Sequence, residues 1–236
     1  MKNKALLIAI ATLVITINCM AQADRTPEKV MDIDGNVYHT ITIGTQTWIV
    51  ENLKTTHYRD GSLIANETDD TAWEALSTGA WCNYDNLAAN DTKYGKLYNW
   101  YAVNTGLLAP LGWHVPTDVE WTTLTDYISA NLGISLNVAK AIAATTDWTT
   151  DVTTGTIGCN LTLNNATSFS ALPGGGRGNS IGAFYSLGVG GFWWSATGGD
   201  PSRAWNRFLY YASGDSFVYR HYRYKSDGFS VRCVRD

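Results

Sequence analysis

An α+β domain of short antiparallel strands, one or two helices and long irregular loops is what this 236-residue sequence predicts. Three observations carry that reading. β-branched residues alternate through positions 37–43, one central segment holds a complete helix-start signature, and three β-patterned segments joined by Gly- and Asp-containing turns close the chain. Ten Trp and thirteen Tyr beside three Met and 16% charged residues exclude a disordered tail, a coiled coil and a collagen-like fibre.

Residues 1–23 read as a secretory signal. Lys2 and Lys4 precede the apolar run 5–17, and Ala21-Gln22-Ala23 supplies an A-x-A site, with cleavage after Ala21 or Ala23. A lipid anchor at Cys19 is the alternative, although Thr16, Ile17 and Asn18 make a poor lipobox. No later run reaches the roughly 18 apolar residues of a membrane span, so none is expected in the mature chain. Residues 24–30 follow as a linker and 31–236 as one domain, secreted or held at the cell surface.

Asp32-Ile33-Asp34-Gly35-Asn36 resembles half of a calcium loop but lacks the third acidic ligand and the distal Glu, so a solvated Asp-Gly turn is expected. It opens onto a β-hairpin over 37–43 and 47–50, turning at Gly44-Thr45-Gln46. Asp69-Asp70-Thr71 starts a short helix through Trp73 and Leu76, and the aromatic-rich segment 94–103 is ambiguous in period. Pro116-Thr117-Asp118-Val119-Glu120 forms a capping box. The helix it opens places Val119, Leu124, Ile128 and Leu132 on one face, and Gly133 ends it.

Gly174-Gly175-Gly176-Arg177-Gly178 has no following Lys-Ser/Thr, and Asn179 breaks the G-x-G-x-x-G register, so the stretch reads as a loop needing positive φ. Strands are expected over 203–211, 216–224 and 229–235, joined through Ser213-Gly214-Asp215 and Ser226-Asp227-Gly228. In the last, Phe229, Val231 and Cys233 face the core while Ser230 and Arg232 face away.

Charge is unevenly placed. Residues 24–202 carry eight Lys/Arg against 18 Asp/Glu, whereas 203–236 carry seven against three, a local net of +4. Those basic residues are interleaved with aromatics, and an exported acidic protein does not suit nucleic acid as a partner. The four His form neither H-E-x-x-H nor H-x-H, no G-x-S-x-G elbow is present, and no cysteine spacing fits a metal or redox motif. An enzyme, a metal and a cofactor are therefore not expected.

The candidate contact residues are Trp205, Asn206, Tyr211, Tyr219, Arg220, Tyr222, Arg223 and Tyr224. Alternation puts Arg220, Tyr222 and Tyr224 on one strand face and His221, Arg223 and Lys225 on the other. Tyr and Arg build recognition surfaces. A half-buried strand with only its hydroxyls outside is the other reading.

A series of motifs stands in the order of a known family. It runs through Asp34-Gly35-Asn36-Val37-Tyr38, Trp48-Ile49-Val50-Glu51-Asn52-Leu53-Lys54, Tyr98-Asn99-Trp100-Tyr101-Ala102-Val103, Gly112-Trp113-His114-Val115-Pro116-Thr117 and Glu120-Trp121. It continues through Phe169-Ser170-Ala171-Leu172-Pro173-Gly174-Gly175, Trp193-Trp194-Ser195-Ala196-Thr197 and Gly228-Phe229-Ser230-Val231-Arg232-Cys233-Val234-Arg235-Asp236. The chain closely resembles the Fibrobacter succinogenes major paralogous domain (FISUMP) family. That resemblance implies a C-type lectin-like fold, related to that of formylglycine-generating enzymes, in exported bacterial proteins. Cys233 stands without the second C-terminal cysteine of those enzymes, so their oxidase chemistry is not implied. Trp205-Asn206 is followed by Arg207, not by the Asp of calcium-dependent sugar-binding lectins.

The resemblance pairs Cys82 with Cys233, leaving Cys159 free, and places Trp48, Trp100, Trp113, Trp121 and Trp193 in the framework. The function expected is a non-catalytic binding module for an extracellular glycan or protein. Alternatives are a structural or adhesive surface component, a target of diversity-generating retroelements, and an extracellular enzyme, which would need a cleft of convergent carboxylates or histidines.

Overall fold

A computed structural model describes residues 29–131, 137–212 and 217–236. The signal expected over 1–23, Cys19, Leu132, Gly133 and the turn at 213–215 lie outside the described residues. Strand β1 (Lys29–Met31) leads into the expected hairpin of β2 (Val37–Ile43) and β3 (Gln46–Ile49), with Ile41 opposite Trp48. The turn between β1 and β2 is less solvated than its composition suggests. Asp32 is buried and accepts from the amides of Asp34 and Asn36 and, at 2.6 Å, from the Tyr38 hydroxyl. Asp34 accepts from Thr55, Thr56 and His57, tying the turn to the segment after β3.

Short elements follow: β4 (Ala65–Asn66), α1 (Asp70–Glu74), β5 (Ala80–Cys82) and α2 (Ala88–Tyr94). The ambiguous aromatic segment divides into β6 (Leu97–Tyr98) and the single-turn helix α3 (Trp100–Val103). The Asn99 side chain caps α3 by accepting from the Ala102 amide at 3.1 Å. Beyond β7 (Trp113–His114), helix α4 (Asp118–Asn131) starts at the expected capping box. The Glu120 amide donates to Thr117 Oγ1 at 3.2 Å, and the Thr117 amide donates back to the Glu120 carboxylate at 2.8 Å. Its inner face holds Asp118, Trp121, Leu124 and Ile128, whereas Val119 is 72% exposed. Val119 lies about 200° around the helix from Trp121, so the two cannot share the buried stripe.

After α5 (Val138–Ile142) come β8 (Gly174–Arg177), β9 (Phe184–Leu187), β10 (Gly190–Gly198), β11 (Arg203–Tyr210), β12 (Tyr219–Tyr224) and β13 (Val234–Arg235). The strands form three sheets, ordered β1-β2-β3-β13-β7, β12-β11-β10-β8-β9 and β4-β5-β6. Pairing is antiparallel except between β4 and β5 and between β8 and β10. The expected glycine loop is thus a buried strand. Gly175 does take a φ of +64°, and a Cβ there would stand 2.5 Å from the Tyr84 ring.

The final segment departs most from expectation. Residues 228–230 bridge to Arg177, Tyr98 and Trp193 in the interior before β13 joins the first sheet. A strand threaded through the interior has no solvent face, so Ser230 and Arg232 are buried together with Phe229, Val231 and Cys233. Arg232 is satisfied there by Asn52 Oδ1 at 2.7 Å and by the carbonyls of Phe169 and Ser170 at 2.9 and 3.0 Å.

The disulfide implied by the resemblance does not form, and Cys82, Cys159 and Cys233 are all free. Cys82 packs with Trp73, Ala80 and Leu97, while Cys233 belongs to a different cluster with Tyr38, Ile49 and Val231. Burial pushes the Cys82 thiol up to about 12. All five framework tryptophans are buried, with Trp48 and Trp121 4.9 Å apart between α4 and the first sheet.

Candidate functional site

β12 is an edge strand, and its register on β11 sets Arg203 opposite Tyr224, Trp205 opposite Tyr222, and Arg207 opposite Arg220. Because side chains alternate, the candidate residues fall on both sides of this sheet. Trp205, Arg220, Tyr222 and Tyr224 share the side facing the start of α4. Tyr219 and Arg223 lie on the other, and Tyr211 sits past the end of β11, half-buried against the α4 cluster.

On the α4 side, one carboxylate organises two arginines. Arg207 is almost wholly buried; its Nη1 pairs with Asp118 Oδ1, and its Nη2 donates to the Asp118 carbonyl at 2.9 Å and to Thr122 Oγ1 at 3.0 Å. Burial and the neighbouring Arg220 draw its pKa down. Arg220 donates through Nε to Asp118 Oδ1 and Oδ2 at 3.0 and 2.8 Å, and its guanidinium carbon lies 3.3 Å from the Trp205 ring centroid. Its side chain stays 47% exposed, and Nη1 and Nη2 have no partner among the described residues.

Trp205 in turn meets Tyr222 at 4.1 Å and 66°, and Arg203 lies 5.0 Å over Tyr224. Tyr222 rests on the turn after β10, where a Cβ at Gly199 would fall 1.9 Å from its hydroxyl. Asp200 shapes that turn by accepting from the amides of Ser202 and Arg203, both at 2.8 Å. No carboxylate forms an ion pair with Arg203 among the described residues.

The opposite side is a cross-strand row of rings. Phe192 stands opposite Phe208 and Phe208 opposite Tyr219, with interplanar angles of 23° and 12°. Arg223 is held by Asp227 at 3.0 Å and by the Tyr185 hydroxyl at 3.3 Å. Asn206 is fully buried and does not reach the surface, and its amide nitrogen and oxygen lack partners among the described residues.

Elsewhere, a cavity of about 330 Å³ is lined by Asn52, Lys54, Lys93, Asn165 and Ser170 among others. Its charges are engaged: Glu51 by His39, Lys93 by Asp147, and Lys54 by the Thr92 carbonyl. His114 bridges Glu120 at 2.8 Å and Asp236 at 2.7 Å, joining the α4 cap to the C-terminus. Among the described residues, no group of three His, Cys, Asp or Glu could hold a metal, and no helix is long and apolar enough to cross a membrane.

Sequence reasoning missed Arg203, Arg207 and above all Asp118, which read only as part of a capping box. It lies 89 and 102 residues from the arginines it holds, a pairing that no local pattern encodes.

Fold and site together define an α+β domain with few helices, curled sheets and an arginine–aromatic face on an edge strand. The chain belongs to the Fibrobacter succinogenes major domain family, whose family model matches residues 41–235. No curated protein and no solved structure matches it.

Proposed function

We propose that the protein is an exported, non-catalytic binding module that takes its ligand on the arginine–aromatic face of β11 and β12. The observation that carries this reading is Arg220, clamped by Asp118 and stacked on Trp205 while half of its side chain stays in solvent. A guanidinium fixed in this way has already lost most of its rotamer freedom, so little entropy remains to be lost on binding. Trp, Tyr and Arg are also the residues that dominate binding hot spots. Export is supported by the charged, apolar and small-residue regions of 1–23. The lectin-like fold implied by the sequence motifs agrees with a role in recognition.

The test is a screen of residues 24–236 against protein and glycan arrays, run beside Trp205→Ala and Tyr222→Ala variants shown to be folded by circular dichroism. The expected result is a binder lost in both variants. Binding that survives both, or a Tyr222→Ala variant that loses thermal stability with no effect on a bound partner, refutes the assignment and favours a structural role.

A further inference from the structure

We infer that this face recognises an acidic protein surface, with partner carboxylates seated on Arg203 and Arg220; the inference rests on the binding face proposed above. Charge comes first. Arg203, Arg207 and Arg220 share the face with Asp118, which is enclosed beneath two of them, while Asp200 is held in the turn by backbone amides. Three guanidiniums thus stand against two carboxylates on this face, and Asp200, bonded to backbone amides, also feels the charge of Arg203. Arg220 keeps both terminal nitrogens free among the described residues, and that planar fork matches a carboxylate with two parallel hydrogen bonds.

Ring geometry then separates protein from sugar. A sugar ring stacks on an open aromatic face, but Arg220 lies on the Trp205 indole at 3.3 Å and Arg203 lies over the Tyr224 ring at 5.0 Å. One face of each ring is thus taken by a guanidinium, which leaves less flat aromatic surface for a sugar and sets a cation beside the ring for carboxylate oxygens. Residues 24–202 carry a net charge of −10, so an acidic partner is repelled by most of the molecule and attracted by this segment. The result is selectivity for one docking orientation.

The probe is a fluorescein-labelled deca-glutamate peptide, followed by anisotropy against residues 24–236, with deca-glutamine and polygalacturonate as parallel arms. Deca-glutamate is expected to bind at least about tenfold more tightly than deca-glutamine, and to weaken about tenfold between 50 and 500 mM NaCl as the charges are screened. Arg203→Gln, at an exposed position outside the Asp118 cluster, is expected to weaken it about threefold with a melting temperature lowered by no more than about 4 °C, the loss of its contact with Tyr224. Arg220→Gln should weaken it further; if that variant fails to fold, Arg203→Gln alone decides.

No deca-glutamate binding, equal binding of deca-glutamine, or indifference to Arg203→Gln overturns the inference. Tighter binding of polygalacturonate overturns the choice of a protein partner. A neutral array ligand that needs Trp205 and Tyr222 but ignores Arg203 and salt would sink the acidic partner and leave the binding face standing.

Discussion

Replacing Asp118 by Ala removes the carboxylate beneath the candidate face and leaves Arg207 charged, with a side chain only 3% exposed. Breaking a buried ion pair from one side costs about 3–5 kcal/mol. Two features place this case near the lower end. Arg207 keeps its bonds to the carbonyl of residue 118 and to Thr122 Oγ1, and Arg220 is exposed enough to turn to water. A loss of about 3 kcal/mol is expected, or roughly 6–12 °C in melting temperature for a domain of this size. Urea unfolding followed by tryptophan fluorescence measures it, and Arg207→Met serves as partner in a double-mutant cycle. With the arginine gone the buried charge is gone, so Asp118→Ala should cost about 1 kcal/mol or less in that background. Equal costs in both backgrounds, or a single-variant loss under about 0.5 kcal/mol, would show that Asp118 does not hold Arg207.

Stability should be greatest between about pH 4.5 and 6.5. Carboxylate partners raise the His114 pKa above 6.5, so its contribution is complete below that value and is lost as pH rises through the raised pKa. Bonds from Thr117 and His114 lower the Glu120 pKa below 4.5, so that contribution is lost as pH falls through the lowered value. Melting curves of the wild type and His114→Gln should converge at alkaline pH, and parallel curves refute the linkage. Asn206→Leu should leave stability unchanged or raise it by about 1 kcal/mol, because the amide is enclosed without partners; a loss of more than 1 kcal/mol in urea unfolding would mean that the amide is satisfied. Residues 24–236 should expose one reactive thiol, Cys159, to Ellman's reagent when folded and three when unfolded, whereas a Cys82–Cys233 disulfide would leave one in both states.

Local features were the most legible in the sequence. The hairpin at 37–49 and the N-terminus of α4 follow from patterns that span a few residues, whereas the framework tryptophans follow from the family resemblance. Val119 departs from the expected stripe because Asp118 and Trp121 set the buried side of the first turn, which turns the apolar residue between them to solvent. Arg232 was misplaced for a deeper reason: alternation predicts which side chains share a face, but not whether both faces are covered. The same limit applies to the candidate site. Alternation separated Tyr222 from His221 correctly, yet it could not tell that Asn206 would be enclosed or that Asp118 would close on the arginines from another element.

The surplus of rings and the basic C-terminal segment are one feature. Of the seven Lys and Arg in residues 203–236, five lie over an aromatic ring: Arg203 on Tyr224, Arg220 on Trp205, Lys225 on Trp100, Arg232 on Phe169 and Arg235 on Trp113. Each contact contributes about 0.5–1 kcal/mol at the surface and more when desolvated. Three of these cations thus fasten the C-terminal segment to rings elsewhere in the domain and two brace β11 against β12, so most of the local positive charge is engaged in the fold. Arg207 and Arg223, which lie over no ring, are held by Asp118 and Asp227. Arg203 and Arg220 share an exposed position over a ring with Arg235 on β13, but these two stand together on β11 and β12, and the terminal nitrogens of Arg220 are free of partners among the described residues. A contact surface has to combine fixed geometry with unsatisfied donors, and on β11 and β12 that combination falls at these two arginines.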